Sequence, residues 1–301
     1  MTAGGFDTLD GDVIARVEQI VDAATKVDGT APISEQAVLS LSGSSVTHLV
    51  RTTDDRVVGY GQISAATGEH PAMAEVVVDP EHRGKGVGTD LVQAALTAGG
   101  AGTRVWAHGN LEPARAVAAR LKLVAVRELL QMRRPLTNNP VPSYVVPDGL
   151  SLRTYRPGAD DAEILRVNNA AFSWHPEQGG WTAADLSARQ AEEWFDPAGL
   201  FLVVDDQDRV RGFHWTKVHT ETPEPIGEVY VVAIDPAAQG AGLGRVLTLA
   251  GLEYLQVKGL DAVLLYTEAD NAAAVRLYEK LGFTRYHVDV AYGTAVTSVT
   301  V

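Results

Sequence analysis

Two segments of this sequence repeat each other at a constant distance of 156 residues. EVVVDPEHRGKGVG at 75–88 matches VVAIDPAAQGAGLG at 231–244, so that an apolar run, an Asp-Pro pair and three glycines stay in register. Glycine is too sparse for this match to be attributed to chance, at 29 residues among 301. Since domains commonly have about 100 to 200 residues, the repeat predicts two copies of one domain.

A proline-rich segment separates the two copies. TNNPVPSYVVPDG at 137–149 has three prolines and two asparagines, which disfavour regular helix and sheet and suit an extended connector. We therefore predict an N-terminal domain at 1–136, a linker at 137–149 and a C-terminal domain at 150–301.

Each copy has the same local pattern around its glycines. Val76–Val78 and Val229–Ile234 are short, apolar and β-branched, which predicts buried strands that end at Asp-Pro. A glycine loop follows each strand, and apolar residues then recur at helical spacing. These residues are Leu91, Val92, Ala95 and Leu96 in the first copy, and Val246, Leu247, Ala250 and Leu252 in the second.

The second copy continues with a predicted strand, a helix and a closing strand. Val263–Thr267 predicts the first strand, and Asn271 can cap a helix that runs through Leu281 and ends at Gly282. Phe283–Tyr292 predicts the closing strand. Because strands and helices do not alternate regularly, we predict an α+β, or mixed α/β, fold in which each domain has a mixed central sheet flanked by helices.

Composition narrows the class of ligand. The chain has no cysteine, so it forms no disulfide, thiolate zinc site or cysteine acyl intermediate, and we expect a cytoplasmic protein. A formal charge of −13 opposes binding to nucleic acid and to anionic lipid. The N-terminus has no basic region, and no run of about 18 apolar residues occurs, which predicts neither export nor a membrane span. A small-molecule ligand is the expectation.

The glycine loops predict a phosphate site. A loop between a strand and a helix lets backbone N–H groups approach an anion, and the helix N-terminus adds roughly half a positive charge. A single such loop is as often a tight turn without a ligand, but two copies in register favour binding. Neither the P-loop pattern nor G-x-G-x-x-G is present, so ATP and dinucleotides are disfavoured.

The spacing [RQ]-x-x-G-x-G occurs in both copies, and Asn271 is followed by AAAVRLYEKLGF. Here the sequence resembles the GCN5-related N-acetyltransferases. The resemblance implies one acetyl-CoA site in each domain and no metal. The residues that it implies for acetyl-CoA are Val76, Val77, Val78, Arg83, Gly84, Lys85, Gly86, Val87, Gly88 and Thr89 in the first copy, and Val232, Ala233, Ile234, Gln239, Gly240, Ala241, Gly242, Leu243, Gly244, Arg245, Asn271, Ala272, Ala273, Ala274, Val275 and Arg276 in the second.

A narrower resemblance covers nearly the whole chain. SEQAV at 34–38, HPEQGGW at 175–181, FHWTKVH at 213–219 and GEVYVVAIDP at 227–236 are similar to a tandem branch of this family. Its members acetylate the cysteinyl amine of cysteinyl-glucosaminyl-inositol, the last step in forming the actinobacterial thiol mycothiol. The implied substrate-binding residues are Glu35, Glu177, Lys217, Glu228 and Tyr266.

Two side chains of the second copy are candidates for proton transfer. Because side chains alternate between the two faces of a strand, Glu228 is expected to share a face with Tyr230, Val232 and Ile234. Glu228 is the candidate base. The alternative is a solvated carboxylate at a strand edge. Tyr278, seven residues after Asn271, is the candidate acid, and a core aromatic packed with Val275 and Leu281 is the alternative. The resemblance implies that a backbone N–H near Val232 polarises the acetyl carbonyl.

The first copy lacks both groups. The repeat distance places Ala72 opposite Glu228, and aligning ARAVAARLKL with AAAVRLYEKL places Arg120 opposite Tyr278. Its basic glycine loop can still hold a pyrophosphate. We therefore predict that the N-terminal domain binds acetyl-CoA without chemistry.

The histidines of the sequence do not predict a metal site, and functions other than this acetyl transfer stay open. His175 and Glu177 lack a third convergent ligand, and His214 and His219 face opposite ways on a strand, so we predict no metal. An acetyltransferase acting on another amine, such as a peptide N-terminus, a polyamine or an aminoglycoside, remains open, as does a non-catalytic acetyl-CoA sensor. We expect a monomer.

Overall fold

The computed structural model describes residues 4–68, 71–173, 178–220 and 224–295. The elements of the N-terminal half are β1 (Gly4–Phe6), α1 (Gly11–Asp28), α2 (Glu35–Leu39), β2 (Val46–Thr53), β3 (Arg56–Ser64), β4 (Met73–Val78), α3 (Val87–Gly99), β5 (Arg104–Ala107), α4 (Glu112–Arg120) and β6 (Val124–Pro135). Those of the C-terminal half are β7 (Leu150–Thr154), α5 (Asp161–Ala171), α6 (Ala183–Gln190), β8 (Leu200–Asp205), β9 (Val210–His219), β10 (Ile226–Ile234), α7 (Leu243–Val257), β11 (Ala262–Glu268), α8 (Ala272–Lys280) and β12 (Thr284–Gly293).

The predicted order of strand, glycine loop and helix is confirmed in both halves. Asn271 caps α8, since its side chain accepts a hydrogen bond from the Ala274 N–H at 3.1 Å. The helix ends at Lys280, and Gly282 follows with a φ of +86°. Residues 136–149 form neither helix nor strand, as the prolines predict. None of the helices in the described ranges is long and apolar enough to cross a membrane.

The chain folds into two compact units, and neither is one continuous segment. The first unit contains the described residues of Met1–Leu130, together with Glu268–Asp270 and the described residues from His287 onward. The second unit contains the described residues of Gln131–Thr267, together with Asn271–Tyr286. Most of β12 therefore belongs to the first unit. The prediction that this strand closes the sheet of the second copy is wrong, because apolar periodicity specifies a strand but not its partner.

The first unit has a sheet of strand order β1, β2, β3, β4, β5 and β12. β1 to β4 are antiparallel neighbours, whereas β4 and β5 are parallel over three residue pairs, from Met73 opposite Arg104 to Glu75 opposite Trp106. β12 is antiparallel to β5, with Tyr292 opposite Val105. α3 buries Val87, Leu91, Val92 and Ala95 in the core against this sheet.

The second unit repeats this order as β7, β8, β9, β10, β11 and the part of β6 from Gln131 to Pro135. α7 packs on the face of the sheet that carries His214, whose Nδ1 lies 2.8 Å from the Leu247 carbonyl oxygen. The opposite face carries Trp215, which is fully buried in a core with residues of α5 and α6. β10 and β11 are parallel over three residue pairs, from Gly227 opposite Val263 to Val229 opposite Leu265.

A β-bulge interrupts β10 at Tyr230. Val229 pairs with Thr216 and Val231 with Trp215, so Tyr230 is the extra residue. Glu228 and Tyr230 lie on the face of Trp215, whereas Val232 pairs with His214 and lies on the face of α7. The prediction that Glu228 shares a face with Val232 and Ile234 is therefore wrong, because the bulge shifts the alternation by one residue.

Candidate functional site

The glycine loop of the second unit joins β10 to α7. Asp235 ends the strand, where its carboxylate accepts a hydrogen bond from the Ala237 N–H at 3.0 Å and pairs with Arg166 at 2.7 Å. Gly240 and Gly242 then have φ values of +85° and +78°, a region that side-chain-bearing residues rarely adopt. Gly242 is the N-cap of α7, so the loop leads directly into a helix N-terminus.

Backbone donors in this loop are available to a ligand. Among the described residues, no acceptor pairs with the N–H groups from Gly240 to Gly244. Arg245 follows on the exposed side, and no carboxylate of the described chain pairs with it. Unpaired N–H groups, the positive end of a helix and a cation together fit a pyrophosphate.

Three neighbouring elements carry the predicted acetyl-CoA residues of this unit. Val232, Ala233 and Ile234 form the end of β10, and Asn271 caps the first turn of α8. α7 packs closely on α8, since a Cβ at Gly244 would lie 3.4 Å from Leu277 Cδ2. The remaining predicted residues lie in the loop and in the first turns of these helices: Gln239, Ala241, Leu243, Ala272, Ala273, Ala274, Val275 and Arg276.

A cleft separates β10 from β11 beyond Val229. The parallel ladder ends at that residue, although both strands continue to Ile234 and Glu268. Beyond the bulge, β10 therefore turns backbone N–H and C=O groups toward a strand with which it does not pair. Such groups can donate to a ligand that enters the cleft, and Val232 lies in this part of the strand.

Glu228 lies just before the bulge and is 8% exposed. Its Oε2 lies 2.6 Å from His219 Nε2, and its Oε1 has no partner among the described residues. Lys217 is directly opposite Glu228 on β9, and its Nζ lies 5.0 Å from the ring centre of Trp194. A carboxylate with one free oxygen, held by an imidazole and lying near a cation, can accept a proton.

His219 was not singled out as a functional residue by the sequence. The signal that points to it is its spacing of two from Lys217, which places both side chains on the face of Glu228 once the β9–β10 register is known. Tyr266 lies on the same face, two residues beyond Leu264, the partner of Glu228 on β11. Its hydroxyl accepts a hydrogen bond from Gln131 Nε2 at 2.7 Å.

Tyr278 is buried in α8 and packs edge-on against Phe283, with ring centres 5.7 Å apart. Its hydroxyl has no hydrogen-bond partner among the described residues. Burial raises the pKa of Tyr278 to about 12, so the phenol stays protonated at neutral pH. An unpaired, protonated hydroxyl can donate to a ligand.

The first unit has the same glycine loop beside a cavity of about 540 Å³. Gly84 and Gly86 have φ values of +75° and +90°, and Gly86 is the N-cap of α3. The cavity is lined by Val76–Val78, by the loop and by α4. Its size is that of a small-molecule site.

The two cations predicted for this loop have partners already. Both terminal nitrogens of Arg83 pair with the Asp28 carboxylate at 2.7 Å, and Lys85 Nζ donates to the Glu81 carbonyl at 3.2 Å. Arg83 still lines the cavity. The backbone N–H groups of the loop, which ends with Val87, Gly88 and Thr89, are left as its principal anion donors.

The predicted equivalence of Arg120 and Tyr278 is wrong. The Leu123 N–H donates to the Ala118 carbonyl, just as the Phe283 N–H donates to that of Tyr278. Ala118 is therefore the counterpart of Tyr278, since α4 and α8 have equal lengths and each residue stands six positions after the start of its helix. The bulge likewise makes Met73 the counterpart of Glu228, since Met73 pairs with Ser64 as Glu228 pairs with Lys217. Ala72 precedes β4, and the absence of both proton-transfer groups at these positions stands.

A half-buried charge cluster in the first unit was not predicted from the sequence. Glu75 accepts hydrogen bonds from the Ser34 N–H and hydroxyl and pairs with His108 Nε2 at 3.1 Å, and Asp289 lies 3.4 Å from His108 Nδ1. Burial alone would lower the pKa of His108, but the two carboxylates outweigh it and raise the pKa to about 9. Burial alone would raise the pKa of Glu75, but His108 and Ser34 outweigh it and lower the pKa. With these partners neither side chain is a base at neutral pH.

Three other predicted residues stand apart from the clusters above. Glu35 is exposed in the first turn of α2, within the first unit. Glu177, with His175, lies outside the described residues. His214 is fully buried, and burial lowers its pKa to about 4, whereas His219 lies on the other face, as predicted.

Family comparisons agree with this geometry. The acetyltransferase (GNAT) family model matches residues 18–122 and 166–283, once in each half. Among solved structures, a GCN5-related N-acetyltransferase from Sphaerobacter thermophilus matches with a TM-score of 0.71 and 20% identity, covering 96% of this chain and 94% of that one. A tandem GNAT protein from the clavulanic acid biosynthesis pathway matches with a TM-score of 0.68 and 18% identity, covering 96% and 97%. The chain belongs to the GNAT family, as a tandem, acetyl-CoA-dependent acetyltransferase.

Sequence relatives specify the branch of that family. The mycothiol acetyltransferase of Nocardia farcinica is 61% identical over 94% of this chain and 95% of its own length. That of Rhodococcus opacus is 59% identical over 96% and 97%, and that of Mycolicibacterium smegmatis is 53% identical over 94% and 96%. Within the GNAT family, this chain belongs to the mycothiol acetyltransferases.

Proposed function

We propose that this protein transfers the acetyl group of acetyl-CoA to the cysteinyl amine of cysteinyl-glucosaminyl-inositol and so forms mycothiol. The observation that carries the proposal is the identity of 61% with a mycothiol acetyltransferase over 94% of the chain. The second unit supports it with a glycine loop, an open strand cleft, a buried carboxylate and a protonated phenol.

Glu228 is the proposed base. An α-ammonium group titrates near pH 8, so a carboxylate can remove its proton directly or through water at neutral pH. The free Oε1 of Glu228 takes that proton, while His219 holds Oε2 in place. The resulting neutral amine is the nucleophile for the thioester carbonyl.

Tyr278 is the proposed acid. Bound acetyl-CoA supplies the thioester, whose leaving group is a thiolate. The unpaired hydroxyl of Tyr278 donates a hydrogen bond, and then a proton, to that sulfur. The proton that the attacking nitrogen loses as the amide forms restores the phenol. Backbone N–H groups of β10 beyond the bulge, near Val232, stabilise the negative charge that develops on the carbonyl oxygen.

Charged and hydroxyl groups are proposed to hold the acceptor. Lys217 and Tyr266 share a strand face with Glu228 and can bind the hydroxyl groups of the pseudodisaccharide. Glu35 and Glu177 are proposed as further acceptor contacts on the family resemblance alone.

The two units are proposed to differ in chemistry. Each binds one acetyl-CoA through its glycine loop, but the first unit has Met73 and Ala118 where the second has Glu228 and Tyr278. The saturated Glu75 offers no replacement base. Only the second unit should turn over.

The deciding experiment is product detection by chromatography and mass spectrometry. The protein is mixed with acetyl-CoA and cysteinyl-glucosaminyl-inositol, with spermidine and a peptide amine as alternative acceptors. We expect acetylation on the cysteinyl nitrogen, because an amide is more stable than the thioester that acetylation of sulfur would give. A preference for spermidine or the peptide, or an acetyl group on sulfur, would overturn the proposal.

A further inference from the structure

The cavity of the first unit is lined by smaller side chains at two positions where the second unit has aromatic rings. Ala118 and Leu123 both line this cavity, and their counterparts in the second unit are Tyr278 and Phe283. Those two rings pack on each other in the second unit. Ala118 stands in the first unit where Tyr278 stands in the second, and Leu123 stands where Phe283 does. The smaller side chains of the first unit therefore do not fill the volume that the two rings fill in the second.

The wall around Ala118 and Leu123 is apolar. Val105, Ala107 and Tyr292 line the cavity with them. The Tyr292 hydroxyl donates to Asn110 Oδ1 at 2.9 Å and is thereby satisfied. An apolar group that occupies this place leaves no buried polar atom of these residues without a partner.

The polar cluster at the cavity does not favour an anion. His108 lines the cavity, but its nitrogens face Glu75 and Asp289. Two carboxylates and one imidazolium leave a net negative charge. A carboxylate-bearing acyl group, such as succinyl, would be repelled by this cluster. The cation of the cavity lining that has no carboxylate partner among the described residues, Arg120, is exposed at the end of α4.

We propose that the first unit binds a CoA thioester whose acyl group is longer than acetyl, uncharged and apolar, such as butanoyl or hexanoyl. This inference rests on the proposed CoA-ester site of the first unit. It refines that site by naming the acyl class, with Ala118 and Leu123 as the residues that determine it.

The size of the effect follows from burial of methylene groups. Each methylene that moves from water into an apolar cavity raises affinity by about fourfold. Butanoyl has two more methylenes than acetyl, so the first unit should bind butanoyl-CoA about 16-fold more tightly than acetyl-CoA. The second unit, where Tyr278 and Phe283 fill the same place, should show no such preference.

The test is calorimetric titration of the full chain with CoA, acetyl-CoA, butanoyl-CoA, hexanoyl-CoA and succinyl-CoA. Gly242→Val, which disables the loop of the second unit, isolates the first site, and Gly86→Val isolates the second. We expect the Gly242→Val protein to bind butanoyl-CoA about 16-fold more tightly than acetyl-CoA, and to bind succinyl-CoA more weakly than either. Acetyl-CoA binding equal to or tighter than butanoyl-CoA, or a preference for succinyl-CoA, would overturn the inference.

Two substitutions link this preference to the cavity. Leu123→Phe and Ala118→Leu should each reduce the preference for butanoyl-CoA over acetyl-CoA by at least fivefold. Leu123→Phe reproduces the residue of the second unit, and thermal unfolding checks that each variant is folded. A folded variant that keeps the full preference contradicts the role of these residues. If neither loop variant differs from the parent in CoA-ester stoichiometry, the proposed two-site function fails instead, which is a separate outcome.

Discussion

Replacing His108 by glutamine should change how the stability of the first unit depends on pH. The pKa of His108 is raised from about 6.5 to about 9 by Glu75 and Asp289. Folding therefore binds a proton, so the stabilisation is fully present below pH 6.5 and is lost as the pH rises through 9. At about 1.4 kcal/mol for each pKa unit, the shift corresponds to about 3 kcal/mol.

The assay is denaturant unfolding of the parent and His108→Gln at pH 6 and at pH 10, with the transition of the first unit followed by fluorescence of the nearby Trp106. We expect the stability advantage of the parent to shrink by about 3 kcal/mol between the two pH values. Asp289→Asn is the matched variant, because it removes one carboxylate and keeps the shape of the side chain. The pH-dependent stabilisation by His108 should therefore be smaller in this variant than in the parent. An advantage that is independent of pH, or an imidazole pKa of 6.5 or below measured by NMR, would refute the argument.

Three further predictions concern the second unit and the loops. Glu228→Gln and Tyr278→Phe should each lower turnover by about 10² or more without weakening acetyl-CoA binding, whereas the control Glu279→Gln, an exposed change on α8, should leave turnover unchanged. Near-normal kcat in both site variants would disprove the proposed roles of Glu228 and Tyr278. Gly242→Val places a branched side chain at a φ of +78°, which costs about 1–2 kcal/mol, and obstructs the anion site, so it should abolish product formation. Gly86→Val should remove one bound acetyl-CoA and still form product, and the reverse result would assign the working site to the first unit. Asn271→Ala should cost about 1 kcal/mol of stability in thermal unfolding through loss of the bond to the Ala274 N–H, and an unchanged Tm would contradict its capping role.

Much of the candidate site could be predicted from the sequence, because the residues that shape it act on the backbone locally. The glycines require positive φ, Asp-Pro stops a strand and Asn271 caps a helix, and each effect acts within a few residues. These signals located the glycine loops and α8 correctly in the second copy. The repeat then predicted the duplicated fold that the family model matches.

Contacts between residues that lie far apart in the sequence could not be predicted from it. His219 contacts Glu228 through the β9–β10 register, and the bulge at Tyr230 decides which residues share the face of Glu228. An inserted residue reverses the alternation of every side chain beyond it, and no residue type marks its place reliably.

The sequence by itself therefore determined the duplicated architecture, the two glycine loops and the residue types in which the two copies differ, since these depend on residue types at fixed spacing. Tertiary structure alone decided which strand completes which sheet and which residues are true counterparts. β12 joins the first unit, Ala118 stands for Tyr278, and Asp289 reaches His108. Strand pairing and charge clusters are settled by packing between distant segments, where periodicity carries no information about the partner.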